Sequence, residues 1–150
     1  MQRRFSITGM VALMATAAIA LSMKEWSATI RPQDGSTISG MATVAPRTGD
    51  SMLVNISIKG ANAGESHPWH VHQGGCDASG AVVGDPSRYR PISIAGNQAG
   101  EATARVKAIL TVGVPYSVNV HRSLSDQGVV ADAPLAFGNP APLSATRICR

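Results

Sequence analysis

The sequence predicts an all-β domain, an antiparallel Greek-key β-sandwich or barrel, and three observations carry that expectation. From Ala28 onward apolar and polar residues alternate in short runs, a pattern that gives each strand one apolar and one wet face. Gly, Pro, Asp and Asn interrupt the runs at hairpin spacing, which allows about seven strands. No stretch of helix length in this region repeats its apolar residues with the 3.6-residue period.

The N-terminal segment stands apart from that domain. Arg3 and Arg4 lead into an uncharged run from Ile7 to Met23, rich in Ala, Met, Leu and Ile. A basic start, an apolar centre and the small residues Ala18 and Ala20 predict an export signal over 1–20, cut after Ala20, and a single domain over 21–150. Retention of the run as an anchor is the competing reading, although a span takes roughly 20 apolar residues and this run is slightly short. The arginine pair also admits a twin-arginine signal. In each case the folded part is exported, to a periplasm or the extracellular space, and the chain meets a membrane only if the segment is retained.

Within the domain, Ile38 to Ala45 reads as a strand, Pro46 to Ser51 as a turn centred on Gly49-Asp50, and Met52 to Lys59 as the returning strand. Met52, Val54, Ile56 and Ile58 share one face of that strand, and Asn55, Ser57 and Lys59 share the other. His67 to Cys76 follows, with Trp69 and Val71 on one side and His70 and His72 on the opposite one. Gly74 to Arg90 reads as a loop. Pro91 to Ala95 and Glu101 to Leu110 read as a second hairpin about Gly96-Asn97. Tyr116 to His121 is the next strand, with Tyr116, Val118 and Val120 toward the core and Ser117, Asn119 and His121 toward solvent. From Ser123 to Arg150 the prolines at 134, 140 and 142 predict a loop-like tail.

Composition narrows the function. The formal charge of +4 falls to +2 once Arg3 and Arg4 are removed with the signal, no run of Lys or Arg exists, and aromatic residues are 4% of the chain. Those features exclude a nucleic-acid partner, which needs a basic stripe or stacking platforms. The two cysteines, Cys76 and Cys149, suit either one disulfide in an exported protein or two free thiols. Joined, they would close a loop that the chain-entropy model credits with roughly 4 kcal/mol.

The histidines carry the chemistry. His70 and His72, two apart on a strand, put both imidazoles on one face, and His121 lies on the polar face of its own strand. Three imidazoles shown from neighbouring strands make a nitrogen-rich site that suits copper or zinc and leaves positions open for water or substrate. His67, beyond Pro68 and three residues from His70, falls off that face and is expected to support the ligands. Asp85 in Val-Val-Gly-Asp-Pro is a turn former or a residual metal ligand. Trp69 is expected in the core. Arg88, Arg90 and Arg122 are solvated charges that can draw an anion toward a nearby site.

Taken together these residues resemble the copper/zinc superoxide dismutase family. His67-Pro68-Trp69-His70-Val71-His72 matches that family's His-X-aromatic-His-X-His, and Gly75 stands at the glycine that follows. Val118-Asn119-Val120-His121 is similar to the strand that carries the remaining non-bridging copper ligand. The resemblance implies a superoxide dismutase-like fold, a single copper ion on His70, His72 and His121, and His67 as the structural histidine. It further implies a disulfide between Cys76 and Cys149, and superoxide or another small anion as substrate. Zinc is not expected: no histidine lies between His72 and His121, and in Val82-Val83-Gly84-Asp85 the zinc aspartate is matched by Asp85 while Val82 stands where a zinc histidine belongs. The family's active-site arginine lies three residues before the last cysteine; here that position is Thr146, and Arg147 is one residue further on. A second resemblance, to chordin-type (CHRD) domains, rests on His70-Val71-His72, Gly80-Ala81-Val82-Val83 and Tyr116 to His121, and implies a sandwich module without established catalysis. A three-histidine zinc hydrolase would need a general base, and none is evident beside the motif.

Overall fold

The computed structural model describes residues 25–138; the export signal expected over 1–20, Arg147 and Cys149 lie outside the described residues. Ten strands follow in order: β1 (Trp26–Pro32), β2 (Ser39–Arg47), β3 (Ser51–Lys59), β4 (Ser66–His67), β5 (Trp69–Gln73), β6 (Ile92–Ser93), β7 (Ala99–Val106), β8 (Tyr116–His121), β9 (Val129–Pro134) and β10 (Ala136–Phe137). Their pairing is antiparallel throughout, in the lateral order β5-β8-β9-β1-β2-β3-β7, with β10 on β1 and a small separate pair of β4 with β6. The chain leaves β7 at one edge and re-enters as β8 beside β5 near the other. The architecture is therefore a curled Greek-key sheet, as the alternating runs predict.

Period-two patterning accounts for the first half. Trp26, Ala28 and Ile30 of β1, Ala42 and Val44 of β2, and Met52, Val54, Ile56 and Ile58 of β3 are all buried in one core, with Trp69, Val71, Val118 and Val120 from the far side of the sheet. The β2–β3 hairpin turns through Gly49 and Asp50, both with positive φ, the conformation that a tight turn with Gly-Asp supplies cheaply. Burying side chains such as Val54 and Val71 is worth on the order of 1.5–3 kcal/mol each.

The second half departs from the expectation in three places. The hairpin expected about Gly96-Asn97 turns as predicted, with Ala95 N–H donating to Ala99 O at 2.9 Å. Its first arm, however, pairs with Ser66–His67, while its second arm, Ala99–Val106, joins β3. The tail after Ser123 is not all loop. β9 lies between β8 and β1, and its central residues Val130, Ala131, Asp132 and Ala133 are all buried. A strand buried on both faces shows no alternation, and Pro134 stands at its last position, where a missing N–H costs the ladder least. The same reason corrects the exposure expected of His121: it keeps the face opposite Val118 and Val120, but every residue of β8 is buried, and His121 is only 7% exposed.

Hydrogen exchange checks the position of β9. The amides of Val130, Ala131 and Ala133 are expected to exchange as slowly as those of Val118 and Val120, whereas exchange as fast as that of the 122–128 loop would place this segment outside the sheet.

Candidate metal centre

β5 and β8 are neighbours, registered so that Trp69 faces Val120, His70 faces Asn119 and His72 faces Ser117. That register puts Trp69 and Val71 into the core while His70 and His72 emerge on the face where His121 ends β8. Each of the three histidines offers a ring nitrogen, and these atoms all lie within 4.8 Å of one another. Ring centroids are 5.8 Å apart for His70 and His72, 5.5 Å for His70 and His121, and 6.2 Å for His72 and His121. The spacing fits three ligands around one small ion.

Backbone carbonyls decide which nitrogens are available. His72 Nδ1 lies 2.9 Å from Gly80 O, and His121 Nδ1 lies 2.9 Å from Gln127 O. A carbonyl oxygen only accepts, so each Nδ1 carries the proton and each Nε2 presents a lone pair. Both Nε2 atoms are buried and have no partner among the described residues. Buried nitrogens without partners carry a desolvation cost that a cation at their meeting point removes. This donor set therefore fits a copper or zinc ion.

Short local devices bring those carbonyls into place. Gly74 has φ +102, and a Cβ there would run into Ala78 O, so the loop can fold back only through glycine. The returning chain lies along β5: Gly80 N–H donates to Gln73 O (2.7 Å), Gln73 N–H to Ala81 O (3.0 Å) and Val83 N–H to Val71 O (2.8 Å). That course sets Gly80 O against His72. On the other side, Arg122 to Gly128 forms a loop tied by Ser123 N–H to Asp126 O (2.9 Å) and Arg122 N–H to Gly128 O (2.9 Å). Arg122 also pairs with Asp126 and Asp34, each at 2.8 Å. The loop sets Gln127 O against His121.

His67 sits behind the cluster, 3% exposed. Its Nδ1 lies 3.0 Å from His121 O and its Nε2 3.1 Å from Glu65 Oε2, while His121 N–H donates to Pro68 O at 2.8 Å. The 67–68 dipeptide thus holds both backbone groups of His121. Asp85 is exposed and apart from the histidines; its carboxylate accepts from Ser87 N–H (2.9 Å) and Ser87 Oγ (2.8 Å) and starts the 3-10 turn Pro86–Arg88. Cys76 opens another 3-10 turn, Cys76–Ala78.

Four contributors to the site went unnoticed in the sequence. Gly80 and Gln127 act through carbonyl oxygens, which carry no side-chain signature. Ser79 Oγ accepts from Asn119 Nδ2 at 2.9 Å and covers the polar face of β8. Tyr89 stacks edge-on against Trp69 at 5.1 Å and His70 at 5.5 Å, with its hydroxyl on Val83 O at 2.9 Å. As the single aromatic of the 74–90 loop, it was the one of the four with a visible signal, since a loop aromatic needs an apolar seat.

Burial pulls the pKa of His70 down to about 4, with further depression from the charges of His121 and His72. His121 is lowered as well, first by burial and also by His72, against the opposing bond to Gln127 O. Both shifts favour the unprotonated ring that a metal requires.

No protein-family model and no curated protein sequence matches the chain. Among solved structures, two mutants of superoxide dismutase 5 from Candida albicans match it with a TM-score of 0.56. The sequence identities are 15% and 14%, with 83% and 84% of this chain and 99% of each of those chains covered. The fold is superoxide dismutase-like. At these identities the likeness is one of fold, and the chordin-type resemblance is not evidenced by the matches.

Two outcomes follow. His67→Gln removes the Nδ1 contact to His121 O and is expected to weaken copper binding about 10–100-fold in a competition titration, whereas unchanged affinity would show that His121 holds its position without it. An imidazole with a lowered folded pKa leaves the unfolded chain binding more protons, so its contribution is complete above 6.5 and declines as pH falls toward about 4. The melting temperature of the metal-free protein should therefore drop across that window, and His70→Phe should flatten the drop.

Proposed function

We propose that this chain is an exported protein that binds a single copper ion through His70, His72 and His121 and disproportionates superoxide. The observation that carries the reading is the pair of buried Nε2 atoms on His72 and His121 with no partner among the described residues, in a trio of histidines whose ligand nitrogens lie within 4.8 Å of one another. The fold shared with the Candida superoxide dismutase 5 structures supports it. A disulfide from Cys76 to Cys149, and removal or retention of the 1–20 segment, belong to the same proposal.

Copper, when bound, supplies a one-electron couple that accepts an electron from one superoxide and returns it to a second, so two superoxides and two protons give dioxygen and hydrogen peroxide. The chain's own part is positional. Gly80 O and Gln127 O hold the tautomers of His72 and His121, and the 67–68 clamp fixes the backbone of His121. His70 and His72 are the partly exposed members of the trio, and the approach of a small anion is assigned to their side of the site. No histidine of the chain lies between His72 and His121, so the protons are assigned to water.

That last feature favours a second reading, a copper-binding module without turnover. Copper-loaded wild type and His121→Ala, assayed side by side for superoxide consumption and metal content, distinguish the two. The dismutase reading expects a copper-to-protein ratio of one in wild type and a loss of turnover of 100-fold or more in the variant. Equal, negligible turnover with copper retained by wild type leaves the binding module, and failure of wild type to take up copper overturns both.

A further inference from the structure

A second concave site, whose lining includes none of the histidines, occupies the outer side of β7. It is a polar pocket of about 230 Å³ lined by Ser87, Arg88, Arg90, Thr103 and Arg105. Three guanidiniums border it, and no carboxylate does. Among the described residues none of the three arginines takes part in an ion pair, whereas Arg122 is held by two carboxylates. Asp85 is the acid that feels Arg88, but it is already occupied by Ser87 and offsets only one of the three charges.

The hydroxyls are engaged too. Ser87 Oγ donates to Asp85 at 2.8 Å, and Thr103 Oγ1 donates to Asn55 Oδ1 at 2.9 Å. The pocket's free donors are therefore guanidinium N–H groups. Arg88 spends its Nε on Arg105 O at 3.3 Å, which caps a carbonyl of the edge strand and keeps its terminal nitrogens available.

Their placement is built into the fold. Tyr89 is buried against Trp69, and alternation along the chain sends its neighbours Arg88 and Arg90 outward. Thr103 and Arg105 share the exposed face of β7 by period two. Gathering three like charges with one of them offset costs free energy that a bound anion returns, and guanidinium forks match the oxygens of phosphate two at a time.

We propose that this pocket binds a phosphate-type oxyanion, either free phosphate or the phosphate end of a small organic ester. Its lining shares no residue with the histidine centre. Calorimetric titration of the metal-free protein with inorganic phosphate, against chloride at matched ionic strength, is the test. A saturable one-to-one site is expected, weakened at least tenfold in the double variant Arg90→Gln with Arg105→Gln, and unchanged in Lys59→Gln and in His121→Ala. Arg90→Lys, which keeps the charge and loses the fork, is expected to weaken binding several-fold and serves if the double variant does not fold. A parallel titration with glycerol phosphate separates the two sources: tighter binding than phosphate assigns the ester, and equal or weaker binding assigns the free ion. Equal affinity in wild type and the arginine variants overturns the proposal, as does phosphate binding that disappears in His121→Ala.

Discussion

An imidazole between two possible tautomers becomes a defined ligand only when something decides which nitrogen keeps the proton, and in this protein two backbone carbonyls decide it. Gly80 O and Gln127 O each face an Nδ1 at 2.9 Å, and the lone pairs of His72 and His121 are consequently left on buried Nε2 atoms that no other group among the described residues meets. The rest of the site depends on those two bonds. The glycine at 74 lets the loop reverse, the returning chain runs along β5 to deliver Gly80, and the Arg122–Gly128 loop delivers Gln127. A side-chain acceptor would have offered a stronger bond but a freer geometry; a main-chain carbonyl in a loop tied by its own hydrogen bonds has less room to swing away.

The sheet supplies the second constraint. His121 closes β8, and its backbone is gripped from behind by His67 and Pro68 while its ring is held from the side by Gln127. The position of this ligand is therefore tied to the seam between β4 and β5. Because β8 is buried along its whole length between β5 and β9, neither edge is free to shift.

Much of this was legible from residue types. The alternation Met52, Val54, Ile56, Ile58 marks a strand with one dry face, and Trp69 and Val71 fix the parity of His70 and His72 without any knowledge of what lies beside them. The parity of His121 follows from Tyr116, Val118 and Val120 in the same way. Burial did not. Parity says which face a residue shares and says nothing of what covers that face, and the cover here is Ser79 and the loops at 74–83 and 122–128. β9 escaped for a related reason, because a strand dry on both faces has no alternation and its terminal Pro134 mimics a loop. Asp85, ambiguous between turn and ligand, is engaged by Ser87 in the turn. The carbonyls of Gly80 and Gln127 left no trace in the sequence, since any residue has one.

The claim that everything else rests on is that the site is arranged before a metal arrives. Long-range proton–nitrogen correlation NMR of the metal-free protein at pH 7, with the histidine rings labelled, reads the tautomers directly. His72 and His121 are predicted to carry their proton on Nδ1, the reverse of the tautomer that free imidazole side chains favour. Rings that carry it on Nε2, or that exchange between both forms, would contradict the account.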